Sequence, residues 1–380
     1  MTQPGEFRDH RDYDYAVVGG SVVGLAVAYG LNRLGARVVV LDEGDLAFRA
    51  SRGNFGLVWT QSKGLDAPHY HRWSCRSAAL WHDFAAELMD GQAADLGLRQ
   101  DGGYDIHLDD DSLAAQAARH ERLHTALGGD HPFEILGNNA LRREEPHIGP
   151  KVAGAIFSPR DGHVNPLRLL RTLAQRNRDL GNDVRTGQRI ETITPRAAGG
   201  FRLTAADAEI EANRVVLCAG HGNARLGPML GFAAPIRPER GQVMITERLA
   251  PLLRRPANGV RQVDEGAIQI GSSQEDVGFD DRVTQSTIGP MAARAIDVLP
   301  ALQHARIVRT WAALRIMSPD GLPIYERSQS CPGAFLVTCH SGVTLAAAHA
   351  RLIPLWLEGK PDAPDLELFS ERRFAVAAAN

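Results

Sequence analysis

Residues 13–43 read YDYAVVGGSVVGLAVAYGLNRLGARVVVLDE. Tyr13 to Val18 is a short apolar strand, Gly19-Gly20-Ser21-Val22-Val23-Gly24 a tight turn, and Leu25 to Leu34 an apolar helix that Gly35 stops. Arg37 to Leu41 is a second, β-branched strand, and it ends in Asp42-Glu43. Strand, glycine turn, helix, strand and terminal acid within about thirty residues form the pattern of a dinucleotide-binding βαβ unit. Gly19 allows the turn and Gly24 lets helix and strand pack closely. The helix N-terminus, which takes in Val22 and Val23, offers free N–H groups and a positive dipole end to a pyrophosphate. Asp42 suits a ribose 2′-hydroxyl and disfavours a 2′-phosphate. Ser21 stands where the motif has its second glycine; it is small and can donate a hydrogen bond.

The remainder of the 380-residue chain is long enough for two to three domains, each with its own core. Its 42 basic residues against 45 acidic ones leave a net charge of −3, which carries no nucleic-acid footprint. Only Lys63, Lys151 and Lys360 are lysines. Cys75, Cys218, Cys331 and Cys339 form no CxxC pair and have no metal-site spacing, so they read as reduced thiols. The uncharged run Tyr15 to Leu31 is shorter than the ~20 residues of a spanning helix and is interrupted by glycines. The residues before it carry more acid than base, unlike an export signal. The expectation is a cytoplasmic protein with no transmembrane segment.

Beyond residue 100, strands and helices alternate without a clean linker. Leu167 to Leu180 is an amphipathic helix introduced by Asn165-Pro166 and stopped by Gly181. Asp183 to Thr186 and Arg189 to Ile193 read as strands, Phe201 to Ala205 with Ala208 to Glu211 as a hairpin, and Arg214 to Cys218 as a buried strand. Gly266 to Gly271 and Ala334 to Thr338 are further strands, Thr284 to Leu299 a helix, and Thr344 to Leu357 a final helix after the turn Cys339 to Val343.

Eight pieces in chain order carry a resemblance: VVGGSVVG with Asp42, ASRGNFGLV (Ala50 to Val58), DGHVNP (Asp161 to Pro166), VVLCAG (Val215 to Gly220), RGQVM (Arg240 to Met244), IGSSQEDVGFD (Ile270 to Asp280), WAALRIMSPDGLPI (Trp311 to Ile324) and HSGVTLA (His340 to Ala346). On these the chain resembles the D-amino-acid oxidase family of FAD-dependent amine oxidoreductases over nearly its whole length. The GNFGLVWTQSKG form of the second piece is most similar to the flavin subunit of heteromeric dehydrogenases that oxidise opines, D-hydroxyproline or glycine. The resemblance implies an α/β plus α+β fold. A Rossmann-like FAD-binding domain (11–95, 148–225 and 318–370) interleaves with a substrate-binding domain on a mixed or antiparallel sheet (96–147 and 226–317). Residues 1–10 and 371–380 are expected as flexible tails.

It also assigns residues. Gly19, Ser21, Val22, Val23, Gly24, Asp42 and Glu43 would hold the dinucleotide, with Ala219 and Gly220 beside them and Ile190 giving a backbone contact to adenine. Ser51, Arg52 and Asn54 would wrap the pyrophosphate, and Phe55, Gly56 and Leu57 would run along the flavin ring. His340 with Ser341, Gly342, Val343 and Thr344 would open a helix whose dipole stabilises the reduced ring. Arg315 is the candidate partner of a substrate carboxylate, a task suited to a two-pronged donor. His163 is a weaker catalytic candidate, Trp59 and Trp311 are candidate pocket walls, Tyr104 faces the substrate domain, and Cys339 stands near the site of a covalent flavin link in sarcosine oxidases.

The implied chemistry is oxidation of the C–N bond of a carboxylate-bearing amine by hydride transfer to FAD, followed by imine hydrolysis. Where sarcosine oxidases carry an oxygen-activating lysine, this chain has Gln269 in GAIQIG. A neutral amide supplies no positive charge, which favours a dehydrogenase handing electrons to another subunit. Lys63 in QSKG is the lysine on which a stand-alone, peroxide-forming oxidase would depend. An NAD-dependent dehydrogenase and a non-catalytic FAD-binding subunit are the remaining alternatives.

Overall fold

The computed structural model describes residues 13–44, 50–91 and 95–377. The strand Tyr13–Val18 sits inside a sheet whose main order is Ile324–Arg327, Ala334–Thr338, Glu209–Leu217, Tyr13–Val18, Val38–Asp42 and Asp183–Thr186. All of these neighbours are parallel except the first pair, and Val17 is flanked by Val40 and Val216. Both faces are covered, which explains strands that are apolar throughout rather than alternating. Tyr15 and Val17 pack under the helices Val22–Arg33, Pro166–Asp179 and Ala346–Arg351, while Ala16 and Val18 face a second core with Leu203 and Leu230. The strands Ile190–Pro195 and Phe201–Ala205 add an antiparallel extension.

A second layer consists of Val260–Gln262, Ala267–Gly271, Arg237–Arg248 and Ile307–Met317, all antiparallel. A bridge from Tyr104 to Ala257 joins it to the three strands Gly103–His107, Gly154–Ser158 and Glu134–Gly137. The helix Gln285–Val298 covers its far face through Ala295 and Val298.

Four expectations change. Strand Gly154–Ser158, placed by sequence in the FAD-binding segment from 148, is flanked by Gly103–His107 and Glu134–Gly137 of the second layer. The separate strands Ala208 to Glu211 and Arg214 to Cys218 are one strand, Glu209–Leu217, serving two neighbours in succession. The final helix is two six-residue pieces, Ala346–Arg351 and Ile353–Glu358. Pro354 has no N–H to return to the Ala350 carbonyl, which breaks the ladder. Finally, part of the expected C-terminal tail is docked. Glu371 accepts the N–H groups of Ala233 and Ala234 at 2.8 Å each, and Arg373 pairs with Asp320 at 2.7 Å. The expected tail 1–10 and residues 378–380 lie outside the described residues.

Candidate active site

The glycine turn is built by exclusion. Gly19 has φ of +113°, and a Cβ there would lie 2.4 Å from the Cys218 carbonyl oxygen. A Cβ on Gly24 would lie 1.9 Å from the Gly19 carbonyl oxygen. The helix Val22–Arg33 therefore starts directly above the strand ends. Ser21 precedes it without a side-chain cap, and its first turn holds no acid. The Val22 N–H donates to Ser51 Oγ at 3.2 Å, which ties the second motif to the helix end, while Val23 and Gly24 carry the N–H groups that helix geometry leaves unpartnered. Asp42 Oδ2 accepts the Gly20 N–H at 2.7 Å and Oδ1 the Gly44 N–H at 2.9 Å. Each oxygen keeps acceptor capacity for a ribose hydroxyl. Glu43 lies 3.9 Å from Arg189. At the end of the neighbouring strand Ala219 donates to Asn223 Oδ1 at 2.9 Å, and Gly220 has φ of +57°. The Ile190 carbonyl is held by Arg225 at 2.6 Å, so that backbone contact is already engaged.

From Ser51 the chain crosses to the second sheet. Asn54 Oδ1 accepts the Gly56 N–H at 2.7 Å, and Gly56 has φ of +88°. Leu57–Val58 pairs with Gly162–His163. Arg52 is exposed and away from the cavity that follows. Asp161, fully buried, accepts the Thr60 N–H and hydroxyl at 2.6 Å each and the Gln61 N–H at 3.3 Å. Burial pushes its carboxyl up to about 6. Thr344 Oγ1 accepts the Trp59 N–H at 3.1 Å and donates to the Leu57 carbonyl at 3.3 Å, so the turn Ser341 to Thr344 is fixed against this crossing segment. A Cβ on Gly342 would lie 3.2 Å from Val23, which places the same turn beside the glycine-turn helix.

Between these parts lies a cavity of about 470 Å³. Its walls include Asn54, Phe55, Leu57 and Trp59 of the crossing segment, Val243, Gly271 and Ala313 of the second sheet, and His340, Ser341, Val343 and Thr344. Among the described residues the N–H groups of Gly342, Val343 and Thr344 have no protein acceptor. The cationic lining groups are Lys63, Arg294 and Arg315, and no Asp or Glu among the described residues lines it. Helix end, ribose acceptor and free amides together fit an FAD: its pyrophosphate at Val22 to Gly24, its ribose at Asp42, and its ring carbonyls at Gly342 to Thr344.

Arg315 reaches the cavity, yet its terminal donors are engaged. Nη1 donates to Glu239 at 3.1 Å and to the Arg240 carbonyl at 3.3 Å, and Nη2 to Ser272 Oγ at 2.6 Å and the Ser273 carbonyl at 2.7 Å. Lys63 is half-buried, and its own burial, reinforced by the Arg315 charge, lowers its ammonium to about 8. It is still mostly charged at neutral pH. His163 and Gln269 do not line the cavity. Gln269 Oε1 accepts Arg261 Nε at 2.9 Å and His163 Nδ1 accepts Arg261 Nη1 at 3.1 Å. The expectation that the Gln269 position lacks positive charge therefore changes, because the neighbouring strand supplies it. Cys339 does not line the cavity, and burial pushes its thiol up to about 12. Tyr104 is core, its hydroxyl accepting Arg255 at 2.9 Å, and Trp311 donates to the Gly53 carbonyl at 3.2 Å.

Sequence reading missed Arg261 and Asp161. Asp161 opens the DGHVNP piece and could have been found there, whereas nothing in Val260-Arg-Gln262 announces a buried cation.

Residues 14–354 match the family model described as DAO, FAD dependent oxidoreductase. The chain belongs to this family. Among DAO-family proteins it is 40% identical to an opine oxidase subunit of Agrobacterium tumefaciens (strain Ach5), over 97% of this chain and 99% of that one. It is 27% identical to a glycine oxidase of Geobacillus kaustophilus (strain HTA426), over 96% of this chain and 97% of the other. The crystal structure of glycine oxidase from Geobacillus kaustophilus superposes with a TM-score of 0.87 at 26% identity, covering 94% of this chain and 98% of that one. The chain is thus a DAO-family FAD-dependent oxidoreductase acting on amines or amino acids. None of its described helices is long and apolar enough to cross a membrane.

Proposed function

We propose that the chain oxidises the C–N bond of a secondary amine bearing two carboxylates, the chemistry of an opine, as the flavin subunit of an electron-transferring assembly. The observation that carries this is the cavity lining, with Lys63, Arg294 and Arg315 and no acid among the described residues. One carboxylate needs one such partner, and a dianion uses more. The 40% identity to a protein named as a subunit of opine oxidase supports both the substrate class and the subunit role.

Bound FAD supplies the acceptor for the hydride that leaves the substrate carbon. The chain's own groups supply orientation and charge. Arg315 and Lys63 hold carboxylates, while Trp59, Val243 and Ala313 wall the space from water. The amine proton passes to solvent, and water hydrolyses the imine to an oxo acid and the released amine.

Anaerobic titration of the yellow protein tests this. N-(carboxyalkyl) amino acids should bleach the flavin at lower concentration than glycine or sarcosine. Equal bleaching by the monocarboxylates would remove the dianion reading, and fast stoichiometric peroxide in air would remove the subunit reading.

Lys63 gives a pH-dependent prediction. Its ammonium, lowered to about 8, is charged below that value and neutral above it. The ratio of kcat/KM between the wild type and Lys63→Met, in which the substrate's own titration cancels, should be about tenfold or more at pH 7 and fall towards one as pH rises past 8. A ratio that stays flat from pH 6 to 10 would show that Lys63 does not meet substrate.

A further inference from the structure

We propose that Arg261 is the counter-charge of the bound FAD, a fixed cation that stabilises the flavin ring when it takes on negative charge. The inference rests on the FAD site alone and not on the amine proposed above. Arg261 is 3% exposed and pairs across the sheet with Gln269, on the face that also carries Gly271 and Val243. Its protein partners are all uncharged: Gln269 Oε1 at 2.9 Å, His163 Nδ1 at 3.1 Å and the Val164 carbonyl at 3.2 Å. The Phe55 ring lies over it, 5.7 Å from guanidinium carbon to centroid. The nearest acids are committed elsewhere, Asp264 to Arg99 at 3.3 Å and Glu265 to Arg168 at 2.5 Å.

Nη2 has no acceptor among the described residues, and it lies 2.8 Å from where a Cβ on Gly56 would be. The cation is therefore aimed at the segment that lies along the flavin ring. A buried cation with only neutral partners is costly unless an anion arrives with a ligand. Burial lowers the guanidinium only to about 10, so it is charged at neutral pH. The other expected source of positive potential is weaker than the sequence suggested, because the helix after Ser341 to Thr344 begins at Ala346 and has six residues.

Sulfite tests this without an amine substrate, since it adds to oxidised flavin to give an anionic adduct that bleaches the flavin's visible absorption band. In the FAD-loaded protein, Arg261→Gln should weaken sulfite binding about tenfold or more, and Arg261→Lys should stay within about threefold of wild type. Unchanged affinity in Arg261→Gln overturns the proposal. So does equal weakening in Arg261→Lys, which would mark the planar fork as a structural brace for Phe55. If Arg261→Gln purifies without FAD, Arg261→Lys decides on the same two outcomes. A wild-type protein that binds no FAD would instead refute the cofactor site itself.

Discussion

Gly24→Ala is expected to purify without flavin colour and to melt well below the wild type. The added methyl would sit 1.9 Å from the Gly19 carbonyl oxygen and 3.2 Å from Cys218 Cβ. The first of these is backbone, so no rotamer change relieves it. The helix Val22–Arg33 has to lift from the strands, moving the uncapped N–H groups away from Gly19 and Asp42. Overpacking of this severity costs about 3 kcal/mol or more. Gly35→Ala is the control. It has φ of +90° but nothing within 4 Å of its Cβ site, so it should lose about 1 kcal/mol and keep its FAD. The measurement is flavin absorbance per protein together with thermal unfolding. A yellow Gly24→Ala with wild-type melting would mean that close helix–strand contact does not hold the cofactor site.

Gly19, Gly24 and Asp42 were legible because their roles are local: one turn, one helix start and one strand end within a short stretch. Arg315, Lys63 and Ser341 to Thr344 converge from distant parts of the chain, and only the family motifs announced that they meet. Arg261 could not be read in advance, since its environment arises from cross-strand register with Gln269 and from contact with Phe55. His163 drew attention as a titratable residue, but its strand position turns it towards Arg261. The neighbouring Asp161 instead anchors Thr60 and Gln61. The last helix was misread because the run Thr344 to Leu357 keeps its apolar character while Pro354 removes one rung of its ladder.

Arg315→Met should raise KM for a carboxylate substrate about a hundredfold, but that single variant cannot assign the cause. Glu239, itself largely buried, pairs with Arg315 at 3.1 Å. Removing the arginine strands a carboxylate among few other donors, and breaking such a pair costs about 3–5 kcal/mol in buried settings. Pairing the change with Glu239→Gln removes the stranded charge. If Arg315 serves only to brace Glu239, Ser272 and Ser273, the double variant should recover most of the wild-type KM. If Arg315 meets the substrate, KM should stay raised with kcat less affected, because a charge-assisted contact is lost whether or not Glu239 is charged. The geometry sharpens the contrast. Both terminal nitrogens already serve protein acceptors, so a carboxylate has to displace Ser272 or share Nη2 with it. Ser272→Ala in an otherwise native chain frees one donor. It should therefore lower KM in the substrate-binding case and leave it unchanged, or raise it, in the bracing case.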